Sequence, residues 1–154
     1  MTNSDERCLM ELYKNILVAV DLTQDSAMIV DKARNLAKQY DAELSIVHVI
    51  EPIVVGYAVE ATSVDIEGLH EEVAIQAKSS LIELGSSVDI PEHRLHTVLG
   101  QPPREIRELA KKIEADLIIM GGHGRHGWEL LFGSTSSSVT HGACCDLLIV
   151  HIEE

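Results

Sequence analysis

Aromatic residues are nearly missing from this chain: three Tyr, one Trp and one Phe make up 3% of 154 residues. A β-sandwich built around large rings is therefore a poor fit. The 45% hydrophobic fraction must pack through Ile, Val, Leu and Ala, which suits a parallel sheet covered by helices. Cations are also few, 12 against 25 acidic residues, for a formal charge of −13. Such a field repels phosphate backbones and anionic headgroups, so neither nucleic acid nor a membrane is an expected partner. A small anionic ligand would need a local nest of backbone N–H groups. The three cysteines, Cys8, Cys144 and Cys145, have neither the number for a disulfide scaffold nor the spacing for zinc, and read as free thiols. No apolar run approaches a membrane span, and the polar opening Met1 to Arg7 lacks the apolar core of a signal peptide. The expected compartment is the cytoplasm.

What is present alternates between two periods. Ile16 to Val20 is a short apolar run without polar alternation, as in a strand buried on both faces; Leu44 to Ile50 is a second apolar run rich in branched residues, Leu117 to Met120 a short fourth, and Asp146 to Ile152 is expected as the fifth strand. His93 to Leu99 alternates polar and apolar and is expected at an edge. Between these runs, apolar residues recur at helical spacing: Ser26, Val30, Ala33, Ala37 and Tyr40; Leu69, Val73, Ala77, Leu81, Leu84 and Val88; Ile106, Leu109, Ala110 and Ile113. A polar helix start lies at Ser134 to Ser138, and Pro102 and Pro103 sit where a first helical turn tolerates them. Residues 52 to 65 have no clear period. The expected organisation is a flexible extension over residues 1–12 followed by one domain over 13–154. Its fold class is α/β: a doubly wound five-stranded parallel sheet with helices on both faces. Ligands of such sheets bind beyond the carboxyl ends of the strands, where the winding reverses. If strand four lies beside strand one, Asp21 and Gly121 open onto one crevice.

The richest candidate is the stretch from Gly121 to Ser134, with four glycines in Gly121-Gly122-His123-Gly124-Arg125-His126-Gly127 and Gly133-Ser134-Thr135 beyond. Glycines allow backbone N–H groups to approach phosphate oxygens, and the alternative is a crossover loop using them only to turn. The literal match of Gly122-x-Gly124-x-x-Gly127 to a dinucleotide fingerprint follows the fourth strand, not the first, and lacks the acidic residue at the right place. Walker chemistry fails because Trp128 and Glu129 stand where a lysine and a hydroxyl residue belong. A response-regulator site would want an acid after strand three, where Val98-Leu99-Gly100 stands instead.

Asp21 either contacts a ligand's ribose, base or metal, or caps the first helix. Arg125 either meets a phosphate or is solvated. His123, His126 and His141 sit on no metal motif. Cys144-Cys145 reads as packing at the entry to the last strand, with a redox pair as the alternative. No catalytic residue stands out, and any hydrolysis of a bound phosphate ligand is expected to be slow.

Taken together, Tyr13-Lys14-Asn15-Ile16-Leu17-Val18-Ala19-Val20-Asp21, His48-Val49, Gly100-Gln101-Pro102, Ala115 through Gly121 and Gly133-Ser134 resemble the universal stress protein family over nearly the whole chain. The resemblance implies strand order 3-2-1-4-5, an adenine nucleotide alpha hydrolase-like arrangement and a homodimer formed through the last strand, residues 146–152. It implies a stress-response or regulatory protein that binds ATP or AMP, with Mg²⁺ accompanying the nucleotide. Ala19, Asp21 and Val49 would surround adenine and ribose, and Met120 is a further candidate contact to the nucleotide. Gly121, Gly124, Gly133, Ser134 and Thr135 would hold the phosphates, with Arg125 added as a candidate on its own chemistry. ATP-binding members carry Gly-x2-Gly-x9-Gly followed by Ser or Thr; here the second gap, Arg125 to Phe132, holds eight residues, one fewer. A nucleotide-free dimeric interaction protein of the same fold is the alternative.

Overall fold

Five strands made of the apolar runs pair side by side, all parallel, in the order β3-β2-β1-β4-β5. The computed structural model describes residues 12–53, 65–123 and 134–152. In chain order the elements are β1 (Asn15–Ala19), α1 (Ser26–Tyr40), β2 (Glu43–Ile50), α2 (Ile66–Ser87), a 3-10 turn (Glu92–Arg94), β3 (Leu95–Leu99), α3 (Pro102–Lys112), β4 (Leu117–His123), α4 (Ser134–Thr140) and β5 (Asp146–Ile152). The doubly wound order expected from the resemblance is the one observed.

Alternation along the strands divides the core into two layers. Ile16, Val18 and Val20 point with Ile46 and Ile119 toward α1 and α2, while Leu17, Ala19, Val47, Val49, Ile118 and Met120 point toward α3 and α4. Leu17, Val18, Val47 and Ile118 have no exposed surface. Each such side chain contributes roughly 1.5–3 kcal/mol by leaving water, so the central strands anchor the fold. The scarcity of aromatics is thus met by branched aliphatics that fit between a pleated sheet and its covering helices.

Helix α1 buries Ile29, Val30, Ala33 and Ala37, the residues at three- and four-residue spacing. It stops at Asp41, which adopts a left-handed conformation (φ 53°, ψ 40°), while the Ala42 N–H closes onto the Ala37 carbonyl at 2.8 Å. Helix α2 starts where the Asp65 carboxylate accepts the Gly68 N–H at 2.9 Å. Helix α3 opens on Pro102, whose missing N–H costs nothing in a first turn.

At the amino ends of the strands, Asp116 fixes the centre of the sheet. Its carboxylate accepts the Lys14 N–H at 2.7 Å and the Asn15 N–H at 3.2 Å. Its own N–H reaches the Asn15 carbonyl, and its carbonyl accepts from Asp146. One residue therefore ties β1, β4 and β5 in register. Beside it, the Tyr13 hydroxyl donates to Asp146 at 3.0 Å and its ring meets Tyr40 edge-on at 5.2 Å. An Arg94–Glu43 ion pair links β2 to the turn before β3.

Three expectations require correction. Strand β4 does not stop at Gly121: it runs on to His123, because Gly121, Gly122 and His123 pair with Val150, His151 and Ile152. An apolar run marks where side chains are buried, whereas pairing belongs to the backbone and needs no side chain. Strand β3 begins at Leu95, with His93 and Arg94 taken up in the preceding turn. Leu69, expected on the buried stripe of α2, is 41% exposed, while Ala77 and Leu81 further along are buried. The buried residues of α2, Ala77, Leu81 and Gly85, all lie in its second half, so the expected stripe is buried only there. Residues 1–11 of the expected extension and residues 54–64 of the unassigned loop lie outside the described residues.

Candidate functional site

Strand β1 is flanked by β2 on one side and β4 on the other, so the chain leaves its carboxyl end between helices of opposite layers. A cavity of about 530 Å³ opens at this point. Ala19, Val20 and Asp21 of the central strand border it, with Val49, Ile50 and Glu51 from β2 and Met120, Gly121 and Gly122 from β4. Ile29, Val73, Pro102, Ile106, Thr135 and Ser136 supply walls from the four helices. The expected crevice shared by Asp21 and Gly121 is present.

Asp21 is not the cap of α1. That position belongs to Asp25, whose side chain makes no capping bond. The Oδ1 atom of Asp21 instead accepts the Thr23 hydroxyl at 2.7 Å, the Thr23 N–H at 3.1 Å and the Ser26 hydroxyl at 3.1 Å. Partial burial pushes this carboxyl upward, but the bonds from Thr23 and Ser26 together outweigh burial and hold it below the ordinary carboxylate range. Asp21 is thus a fixed anion at physiological pH. The turn it braces holds Leu22 in the left-handed region at φ 60°, unusual for a bulky residue.

Gly121 leaves space that two neighbouring side chains occupy. A Cβ there would stand 2.7 Å from the Cδ1 atoms of both Ile29 and Ile152. Its missing side chain lets α1 and β5 close over β4 beneath the crevice.

Two backbone directions matter at the opposite wall. The Glu43 N–H donates to the Lys14 carbonyl and the Val47 carbonyl accepts the Val20 N–H, so odd-numbered residues of β2 turn their peptide groups toward β1. Val49 has the same parity, but β1 pairs with β2 only as far as Ala19↔Val47. The Val49 N–H and C=O are therefore directed into the crevice. The Val20 carbonyl, the next acceptor along the seam, is taken at 2.9 Å by the Nδ1 of His48. Since a carbonyl only accepts, Nδ1 carries the proton. His48 was not among the candidate contacts; its sequence signal was an imidazole within a run of branched apolar residues.

The structure brings Ala19, Asp21, Val49, Met120, Gly121 and Thr135 around one cavity. Ser134 is the first residue of α4, and Gly124, Arg125 and Gly133 lie outside the described residues, as does His126. His123 ends β4, and the Nδ1 of His141 donates to the Ser137 carbonyl at 2.9 Å within its own helix turn. Among the described residues, no group of three His, Cys, Asp or Glu side chains could hold a metal ion, and no helix is long and apolar enough to cross a membrane. The described walls of the crevice carry Asp21 and Glu51 but no lysine or arginine. Cys144 is exposed, whereas burial, with Cys144 next in effect, pushes the Cys145 thiol up to about 12. Cys145 also packs against the core layer under α3 and α4. A thiol so rarely ionised is a poor nucleophile, which favours packing over redox chemistry for this residue.

Comparison with known proteins follows the same outline. The model of the universal stress protein family matches residues 12–151. Universal stress protein A homolog 1 of Coxiella burnetii is 38% identical over 142 residues, spanning 92% of this chain and 99% of that protein. A crystal structure of a universal stress protein in complex with cAMP superposes with a TM-score of 0.66 at 24% identity, covering 91% of this chain and 98% of that one. The universal stress protein of Archaeoglobus fulgidus in complex with dAMP gives a TM-score of 0.60 at 24% identity, covering 90% and 98%. At those identities the structural likeness is one of fold.

Proposed function

Since the chain belongs to the universal stress protein family, we propose that it is a regulatory protein that binds an adenine nucleotide, ATP or AMP, in the crevice between β1 and β4. The observation that carries this reading is the Val49 peptide, an adjacent donor and acceptor aimed into a cavity with an apolar floor. The Watson–Crick edge of adenine offers a ring-nitrogen acceptor beside an exocyclic amine donor, the complement of that peptide. Ala19 and Met120 supply apolar surface for the base, and about 530 Å³ lies within the usual range for small-ligand sites. Asp21, ionised and held by Thr23 and Ser26, suits a ribose hydroxyl.

Phosphates then extend toward Gly121 and Thr135, and Gly124, Arg125, Gly133 and Ser134 complete their surroundings. Asp21 and Glu51 are unfavourable neighbours for a polyphosphate. Mg²⁺ bound to the phosphates offsets that repulsion, so ATP is expected to depend on Mg²⁺ more steeply than AMP does. That cAMP and dAMP occupy relatives of the same fold supports the choice of adenine. The protein acts as a homodimer joined through β5, an edge strand of the sheet on which Leu148 is 42% exposed.

Thermal unfolding with ATP and AMP, each with and without Mg²⁺, tests the nucleotide reading. A ligand at a hundred times its Kd stabilises by about 2.7 kcal/mol. A flat response at millimolar nucleotide overturns nucleotide binding in favour of a nucleotide-free dimer. Light scattering after size exclusion tests the dimer, and a monomeric mass overturns it.

A further inference from the structure

His48 has no place in the chemistry described so far, yet its ring occupies the point where the sheet divides. The Val20 N–H donates to the Val47 carbonyl at 2.9 Å, which puts Val20 opposite His48 in the parallel ladder. The next rung of such a ladder runs from the Val49 N–H to the Val20 carbonyl. That carbonyl bonds instead to the imidazole Nδ1 at 2.9 Å. Val20 is only 7% exposed, so its carbonyl has little access to water and needs a protein donor. Two donors compete for it, the His48 side chain and the Val49 peptide, and the imidazole holds it.

We infer that His48 is a positioning residue that keeps the β1–β2 seam open by one rung, leaving the Val49 peptide to face the crevice and read an adenine edge. The part concerning adenine rests on the proposed function above; the part concerning the seam does not. Remove the imidazole, and the Val20 carbonyl is left without a partner beside an available N–H in ladder register. Closing that rung restores the lost bond and withdraws the Val49 donor from the ligand. An asparagine at position 48 places its amide nitrogen near the position of Nδ1, and so retains a donor for Val20.

The experiment measures residue-resolved amide hydrogen exchange on the nucleotide-free full chain, and ATP and AMP affinity by calorimetry, for the wild type, His48→Leu and His48→Asn. The wild-type Val49 amide should exchange faster than the Val47 amide, which lies within the paired part of the ladder. In His48→Leu the Val49 amide should slow toward the Val47 rate and nucleotide affinity should fall about tenfold, the worth of one such bond. In His48→Asn both properties should return to near wild type. A Val49 amide already as protected as Val47 in the wild type overturns the inference, as does unchanged exchange in His48→Leu. Should His48→Leu fail to fold, the wild-type comparison and His48→Asn decide. If exchange responds as expected but no protein binds nucleotide, the seam stands and the adenine reading falls. If His48→Leu binds nucleotide as tightly as the wild type, the adenine reading stands and the positioning role falls.

Discussion

The two ends of the sheet are built on opposite principles. At the amino end, backbone groups of adjoining strands are drawn onto Asp116, and Tyr13 with Asp146 and Arg94 with Glu43 add side-chain ties. At the carboxyl end the strands part, a peptide group of Val49 is left facing a cavity, and a histidine side chain stands in for the missing rung. The same five strands thus end in a closed seam and an open one. Rigidity at one end is what permits backbone to leave the ladder at the other, because the register that aims Val49 is set by bonds made elsewhere in the sheet.

The largest effect is expected from breaking the closed end. Asp116→Ala removes the acceptor of the Lys14 and Asn15 N–H groups, and should lower stability in urea unfolding by about 3 kcal/mol while changing nucleotide affinity little. Equal stability, or loss of binding in a still folded protein, would erase the contrast between the two ends. Gly121→Ala comes next. The added Cβ crowds the tips of Ile29 and Ile152, and a cost of about 2 kcal/mol is expected in the same measurement. A neutral result would show that these side chains yield freely.

Asp21→Asn sharpens the open end. Loss of the charged acceptor for a ribose hydroxyl should weaken binding of AMP, which carries the least phosphate charge to be repelled, about tenfold, or roughly 1.4 kcal/mol. Because the folded carboxyl titrates below its unfolded value, its contribution to stability is present above the unfolded pKa and is lost as pH falls through the lowered folded value. Wild type and Asp21→Asn should accordingly differ by a constant amount at neutral pH and converge in acid, as followed by thermal unfolding across pH. A difference that grows toward low pH would assign Asp21 the opposite role. The smallest effect concerns thiols: peptide mapping after alkylation at mildly alkaline pH should find Cys144 labelled and Cys145 spared, and label on Cys145 in folded protein would contradict its raised thiol.

The closed part of the fold was easier to read in sequence than the open part. Helix α1 falls where periodicity placed it, since burial and period are set by the same residues, and β5 covers the expected 146–152. The course of β4 past Gly121 was hidden because a ladder through Gly121 and Gly122 leaves no apolar trace. Leu69 misled for the converse reason, being an apolar residue at the right spacing on the half of its helix that carries no buried side chain. In the site, Asp21 stood out as an acid after a buried strand, whereas its bonds to Thr23 and Ser26 depend on a turn that no pattern specifies. Val49 contributes its peptide group, which is the same for every residue type, and His48 acquires meaning only once the register is known.

The tie between Asp116 and Lys14 spans 102 residues of chain. During synthesis, β1 can pair with β2 as soon as residue 50 is clear of the ribosome, but its other edge has no partner until β4 follows. Through that interval the most apolar strand of the sheet shows an unpaired flank to the cell, an invitation to aggregate. Fragments ending before residue 116 should therefore be found with chaperones or in the insoluble fraction, since β1 gains its second neighbour only after the aspartate and β4 have emerged.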